Sequence, residues 1–197
     1  MRHIGSVVVV VLLLAVRTAG ATEIDGRWGL GAGLFNGGGE VSLIRGVSAR
    51  TAWLLDASVQ QNESSVESDQ GLGPTEAVQS GGSFSLGPRF RRFTRPQSEF
   101  SPYWDVYAHA DYSRAHEALA ADRITNETAG VSAGLEIGLE YFTRWHFSVA
   151  AHSGLLSFGW EHVRTEATSA VTAGEVTGHT EFARLALNPV LFLRGYF

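Results

Sequence analysis

Cysteine is absent from the 197 residues, and so is lysine: all 15 basic residues are arginine. The first absence removes disulfides, thiolate metal sites and thiol nucleophiles. Proline is scarce, five in all, and beyond residue 25 there is no long apolar run, so no later segment reads as a membrane-crossing helix. Positive charge is not in excess either. With 20 acids the formal charge is −5, which argues against nucleic acid as a partner, since phosphate binding requires a basic face.

What the N-terminus holds is an export signal in outline. Arg2 and His3 precede an apolar run, Val7 to Val16, and the small residues Ala19, Gly20 and Ala21 follow it. The run falls well short of the roughly 20 residues a spanning helix needs. The expected division is a cleaved signal peptide, 1–21, and a single domain, 22–197. Losing Arg2 and Arg17 takes the charge of that domain to −7.

The domain reads as strands. In Asp105–Ser113, Val106, Ala108, Ala110 and Tyr112 face one way, while Asp105, Tyr107, His109, Asp111 and Ser113 face the other. Gly130–Phe142 repeats the pattern, with Leu135, Ile137, Leu139 and Tyr141 opposite Glu136 and Glu140. Eight such segments are expected, at about 26–35, 39–46, 50–61, 80–92, 102–114, 128–142, 145–162 and 178–197. Their connections alternate between short ones (45–50, 93–102, 143–146) and long polar ones (61–80, 114–128, 164–179), with 36–40 a short exception. That alternation, an even strand number and lengths above the ~9–11 residues of a membrane strand predict an all-β, eight-stranded antiparallel up-and-down transmembrane β-barrel. A soluble lipocalin-like barrel is the competing reading, but it buries its apolar face inward. Charge deep in the strands and aromatics near their ends (Trp28, Trp53, Tyr112, Tyr141, Trp145) favour the membrane version.

The last segment ends on Phe197, with Leu187, Leu191 and Leu193 on its face and Asn188, Arg194 and Tyr196 on the other. This segment, "GPRFRRF" and "GLEIGLEYFTRWHFSVAAHSG" together resemble the eight-stranded outer-membrane β-barrel domain family, the OmpA/OmpX-like small barrels. The resemblance spans residues 26–197. It implies residence in a bacterial outer membrane, contact with outer-membrane lipid and lipopolysaccharide, and Phe197 as the signal read by the barrel assembly machinery. On function it is nearly silent, because this fold carries adhesins, anchors, small channels and enzymes.

An interior eight strands wide is just filled by side chains. The expected lumenal polar network is Asp56, Arg89, Arg91, Asp105, Tyr107, His109, Asp111, Glu136, Glu140, Arg184 and Arg194, with Arg27 a further candidate. Near-equal numbers of acids and arginines predict a self-neutralising plug, since an unpaired buried charge costs several kcal/mol. A narrow channel is the first alternative and a lipid A-modifying enzyme the second. His152 and Ser153 are adjacent, hence on opposite faces of a regular strand, and cannot form a nucleophile–base pair there. His109 near Asp105 and Asp111 is read as a carboxylate-satisfied histidine. The seven histidines show no i, i+2 pair, so neither metal nor cofactor is expected. The role expected is structural or surface-interaction, with the loops 61–80, 114–128 and 164–179 as the surface for an extracellular ligand.

Overall fold

A computed structural model describes residues 24–35, 38–69, 74–95, 99–119, 122–143, 146–168, 173–185, 187 and 189–197. The expected signal peptide lies outside them, as does Trp145. Strand-forming alternation is realised throughout: β1 Trp28–Phe35, β2 Gly38–Ser48, β3 Thr51–Asp69, β4 Pro74–Phe93, β5 Phe100–Leu119, β6 Asp122–Phe142, β7 Phe147–Thr168, β8 Ala173–Arg184 and β9 Pro189–Tyr196. All pairings are antiparallel. Neighbours in sequence pair from β1 to β7, β7 pairs both β8 and β9, and β9 returns to β1, so the sheet closes into a ring.

Two expectations need correction. The segment 178–197 is not one strand but two, β8 and β9, stacked end to end along β7. The break falls just before Pro189, which has no N–H to offer a ladder. The ring therefore has eight staves made of nine strands. The long connections are also largely strand. β3 and β4 stay paired from Gln61 out to Asp69, β5 and β6 to Leu119, and β7 and β8 to Thr168. Both faces of these extensions are polar in sequence, so period-two hydrophobicity vanishes there although backbone pairing continues. The β1–β2 hairpin does not extend in this way. Beyond Gln60, β3 has no partner on that side, and β8 pairs with β7 alone, leaving a gap above the short hairpin among the described residues.

A bulge in β7 resets its faces. Leu135 pairs with Leu156 but Glu136 pairs with Gly154, so Leu155 is the extra residue. Before it His152 and Ala150 face the interior; after it Phe158 and Trp160 still face outward. Without the bulge, parity would turn one half of β7 inside out.

Inside the ring at the short-turn end, the rings of Phe93, Tyr103, Phe142 and Tyr196 form a floor, with centroids 5.7–5.9 Å apart from neighbour to neighbour. Ile24 is buried beside them, and the Arg27 carbonyl accepts from the Gly46 N–H. Arg27 is not part of the lumenal network; its Nη1 donates to His146 Nδ1 at 2.8 Å, in the turn after β6. Burial, and then the Arg27 guanidinium, hold the His146 imidazole below its ordinary pKa.

Five inward aromatics sit directly across the ladder from glycines: Tyr196 and Gly29, Phe192 and Gly33, Tyr103 and Gly138, Tyr107 and Gly134, Phe182 and Gly159. Each ring lies over the space a Cβ would take. At Gly33 the nearest three atoms to an added Cβ all belong to the Phe192 ring, the first at 2.6 Å. Gly33→Val is therefore expected to cost about 1–3 kcal/mol by overpacking. Gly174→Ala, which meets open space, should stay within about 0.5 kcal/mol of wild type. Urea midpoints of the protein refolded in lipid vesicles measure both.

Candidate functional site

Strand parity delivers every deeply buried charge to one place, the interior of the ring. The layer above the aromatic floor centres on Glu140 of β6, which is fully buried. Its Oε2 accepts from Arg91 Nη1 and Arg194 Nη1, each at 2.9 Å; its Oε1 accepts from the Tyr196 hydroxyl at 2.6 Å and from Ser148 Oγ. Four donors saturate the carboxylate. Arg91 also grips Asp105 with both Nε and Nη2, at 2.9 and 2.6 Å, and its guanidinium stacks 3.7 Å above the Tyr103 ring. Such charge-assisted, two-pronged bonding is what makes a buried arginine tolerable.

The next layer centres on Arg89 of β4. Its Nε lies 2.5 Å from Asp56 Oδ2, its Nη2 lies 3.4 Å from Glu40, and its Nη1 donates to Glu136. The same Nη1 reaches His152 Nδ1 at 3.1 Å and Asp105 at 3.4 Å. Asp105, Glu136 and His152 have the donor set and mutual proximity of a metal site, all within 4.8 Å. The cation standing among them is the Arg89 guanidinium, so the trio is already occupied.

Above Arg89 the interior opens into a cavity of about 440 Å³, lined by Glu40, Tyr107, His109, Asp111, Ser132, Glu136, His152 and Arg184 among others. Three arginines (Arg89, Arg91, Arg194) meet five carboxylates (Glu40, Asp56, Asp105, Glu136, Glu140), and the surplus acid sits on the cavity side.

The structure thus brings together Asp56, Arg89, Arg91, Asp105, Glu136, Glu140 and Arg194. Four expected members stand apart. Tyr107 lies over Gly134 with Arg89 5.8 Å above its ring, so it lines the cavity without joining the ion pairs. His109 bonds neither Asp105 nor Asp111: the first is taken by arginines, and the second accepts from Ser132 Oγ at 2.5 Å. Its ring packs against Tyr107 instead, 4.7 Å between centroids. Asp111 lines the cavity and forms no ion pair among the described residues. Arg184 makes no ion pair among the described residues and stacks on Phe182 at the mouth, because it closes β8 where β9 has not yet begun. Sequence reasoning missed Glu40, which shares inward parity with Ser42 and Ile44 but lies in a glycine-rich stretch that reads as a turn. It also missed His152 as a network member. His152 and Ser153 do not meet; Ser153 Oγ donates to the Gly154 carbonyl.

Outside, the dressing is reversed. Leu34, Val59, Val131, Phe158 and Leu191 are each more than half exposed, while the six central charged side chains of the interior are at most 2% exposed. From Phe100 to Tyr112 the outward positions of β5 carry no charge. Aromatics edge this apolar belt: Phe90 packs between Trp53 and Trp104 at the short-turn end, and Phe84 faces Tyr112 across the ladder at the other.

No family model matches the chain, and no curated protein does. Its fold is similar to the crystal structure of a major outer membrane protein from Thermus thermophilus, with a TM-score of 0.55, covering 87% of this chain and 98% of that one. At 10% identity the likeness is one of fold.

Glu140→Ala would leave Arg91 and Arg194 short of a counter-charge in a fully buried layer. A loss of about 3–5 kcal/mol is expected, against on the order of 1 kcal/mol for Asp111→Ala, which removes a partner of Ser132 alone. Denaturant titration of both variants in the same detergent tests the contrast.

Proposed function

We propose that this chain is an outer-membrane β-barrel protein with a structural or surface-interaction role. In this reading the apolar belt lies in lipid, the short turns face the periplasm, and the paired extensions of β3–β8 stand outside the cell. The observation that carries it is the inverted dressing: ion pairs sealed inside, large apolar side chains exposed outside. In water that arrangement would leave a belt of apolar surface with nothing to cover it, whereas a bilayer supplies the cover. The fold likeness to an outer membrane protein supports the same location.

Within the proposal the barrel is a closed plug. The cavity lies on the side of the extensions, and the Arg91–Glu140–Arg194 layer and the aromatic floor lie across the other end. A non-enzymatic role is part of this reading. Phe197 continues the seam where β9 meets β1, its N–H and carbonyl bonded to Trp28 at 2.8 and 3.1 Å while its ring points outward, as an assembly signal would. Lipopolysaccharide and the assembly machinery are the partners this reading names.

The expected behaviour is recovery in the outer-membrane fraction as a heat-modifiable species, with no stable conductance steps in planar bilayers and an unchanged lipid A mass spectrum on expression. Ion conduction would move the reading to a channel, and altered lipid A would move it to an enzyme. Ile137→Arg, in the middle of the belt, should destabilise the folded barrel by about 2–4 kcal/mol in lipid. Deleting Phe197 should lower the yield of folded barrel in the membrane while leaving the urea midpoint of what does fold nearly unchanged.

A further inference from the structure

The histidines that look scattered in sequence include one pair that the fold joins. His162 of β7 and His179 of β8 are direct register partners, with Nδ1 atoms 3.3 Å apart, centroids 4.8 Å apart and ring planes tilted by 43°. They continue the outward series of Phe158 and Trp160, and so occupy the first ionisable position above the apolar belt on β7. The Trp160 indole stacks on His179, centroids 5.2 Å apart and planes within 20°, which limits the rotamers of that imidazole. β8 has no strand on its other side among the described residues, so approach to the pair is open.

Two imidazole nitrogens, each about 2.0–2.1 Å from a tetrahedral metal ion, stand about 3.3–3.4 Å apart. The Nδ1 separation already matches that figure, and adjacent strands hold it without any closure of a loop. The bare pair is served by one Nδ1–H donating to the other Nδ1. A metal ion replaces that contact once both ring protons sit on Nε2, a tautomer change that leaves each imidazole neutral. We propose that His162 and His179 form a surface site for a divalent transition-metal ion of the Zn²⁺, Ni²⁺ or Cu²⁺ class, to which imidazole is a fitting donor. Water completes the coordination, or Glu181, which lies one outward step from His179 and opposite Trp160 in the ladder. Unlike the Asp105–Glu136–His152 trio, this position is filled by no guanidinium among the described residues: Arg164, the next outward residue of β7, bonds Glu175 and Glu166 instead. The proposal does not depend on the membrane reading, since the geometry belongs to the β7–β8 hairpin.

The test uses full-length protein without a polyhistidine tag, folded in detergent and titrated calorimetrically with NiCl₂, ZnCl₂ or CuCl₂. Saturable uptake of about one equivalent is expected, with Cu²⁺ bound tightest. His162→Ala and His179→Ala should each weaken binding at least about tenfold, or 1.4 kcal/mol. His116→Ala, whose imidazole pairs with Thr125 on other strands, should leave it unchanged. Cu²⁺ should also quench tryptophan emission in wild type, with most of that quenching gone in Trp160→Phe. Both histidines are outside the core, so heat-modifiability should be retained in every variant. Equal affinity in wild type and the His162→Ala/His179→Ala double variant would overturn the proposal, as would uptake that only His116→Ala abolishes.

Discussion

A charge taken out of water must be met by another charge and by hydrogen bonds, and the interior of this protein is arranged around that requirement. Glu140 illustrates it: a carboxylate with no solvent contact accepts four bonds from three different strands. Because the donors come from β4, β7 and β9, the carboxylate specifies how those staves are staggered as well as how they are neutralised. A slip of one residue in any of them would send its arginine or serine to the apolar face and leave Glu140 short of partners. Ion pairs of this kind add little net stability over a well-packed apolar interior, but they penalise wrong registers severely. In a ring closed only by strand pairing, register is what must be protected.

Packing serves the same end by a different route. Large rings laid over cross-strand glycines fill the floor and walls without pushing staves apart, and each such pair is possible at one register only. The bulge at Leu155 makes the two devices compatible. It lets β7 present His152 to the Arg89 layer below and keep Phe158 and Trp160 on the outer face above. The split last stave follows from the same demand for pairing. β9 is needed against both β7 and β1, while β8 rises past the end of β1 with one edge unpaired among the described residues.

The fold likeness at 10% identity is what this physics leads one to expect. A belt of outward apolar residues tolerates exchange among Val, Leu, Ile and Phe, and the polar extensions have little packing to constrain them. What has to persist is parity, turn placement and a neutralised interior, none of which demands particular residues. Likeness of this kind carries architecture and leaves the chemistry of the surface to be read from the chain itself.

Period-two alternation determined the strands, their inward and outward faces, and most members of the buried network, because a side chain's face depends on local parity alone. Asp105, Arg91 and Glu140 were legible for that reason. Which of them touch was not, since partners on strands 14 to 54 residues apart depend on stagger, and stagger is set by the closed ring. The extensions were read as loops because polar strands carry no hydrophobic signal, although their backbones pair as fully as any other. Glu40 was lost in glycines, Arg184 was placed in the network by parity but left out of it by the break before Pro189, and His162 and His179 met only through the β7–β8 register. Sequence by itself determined what faces the interior and what faces outward; the tertiary structure decided who meets whom, because contacts across strands depend on register and register is a property of the whole ring.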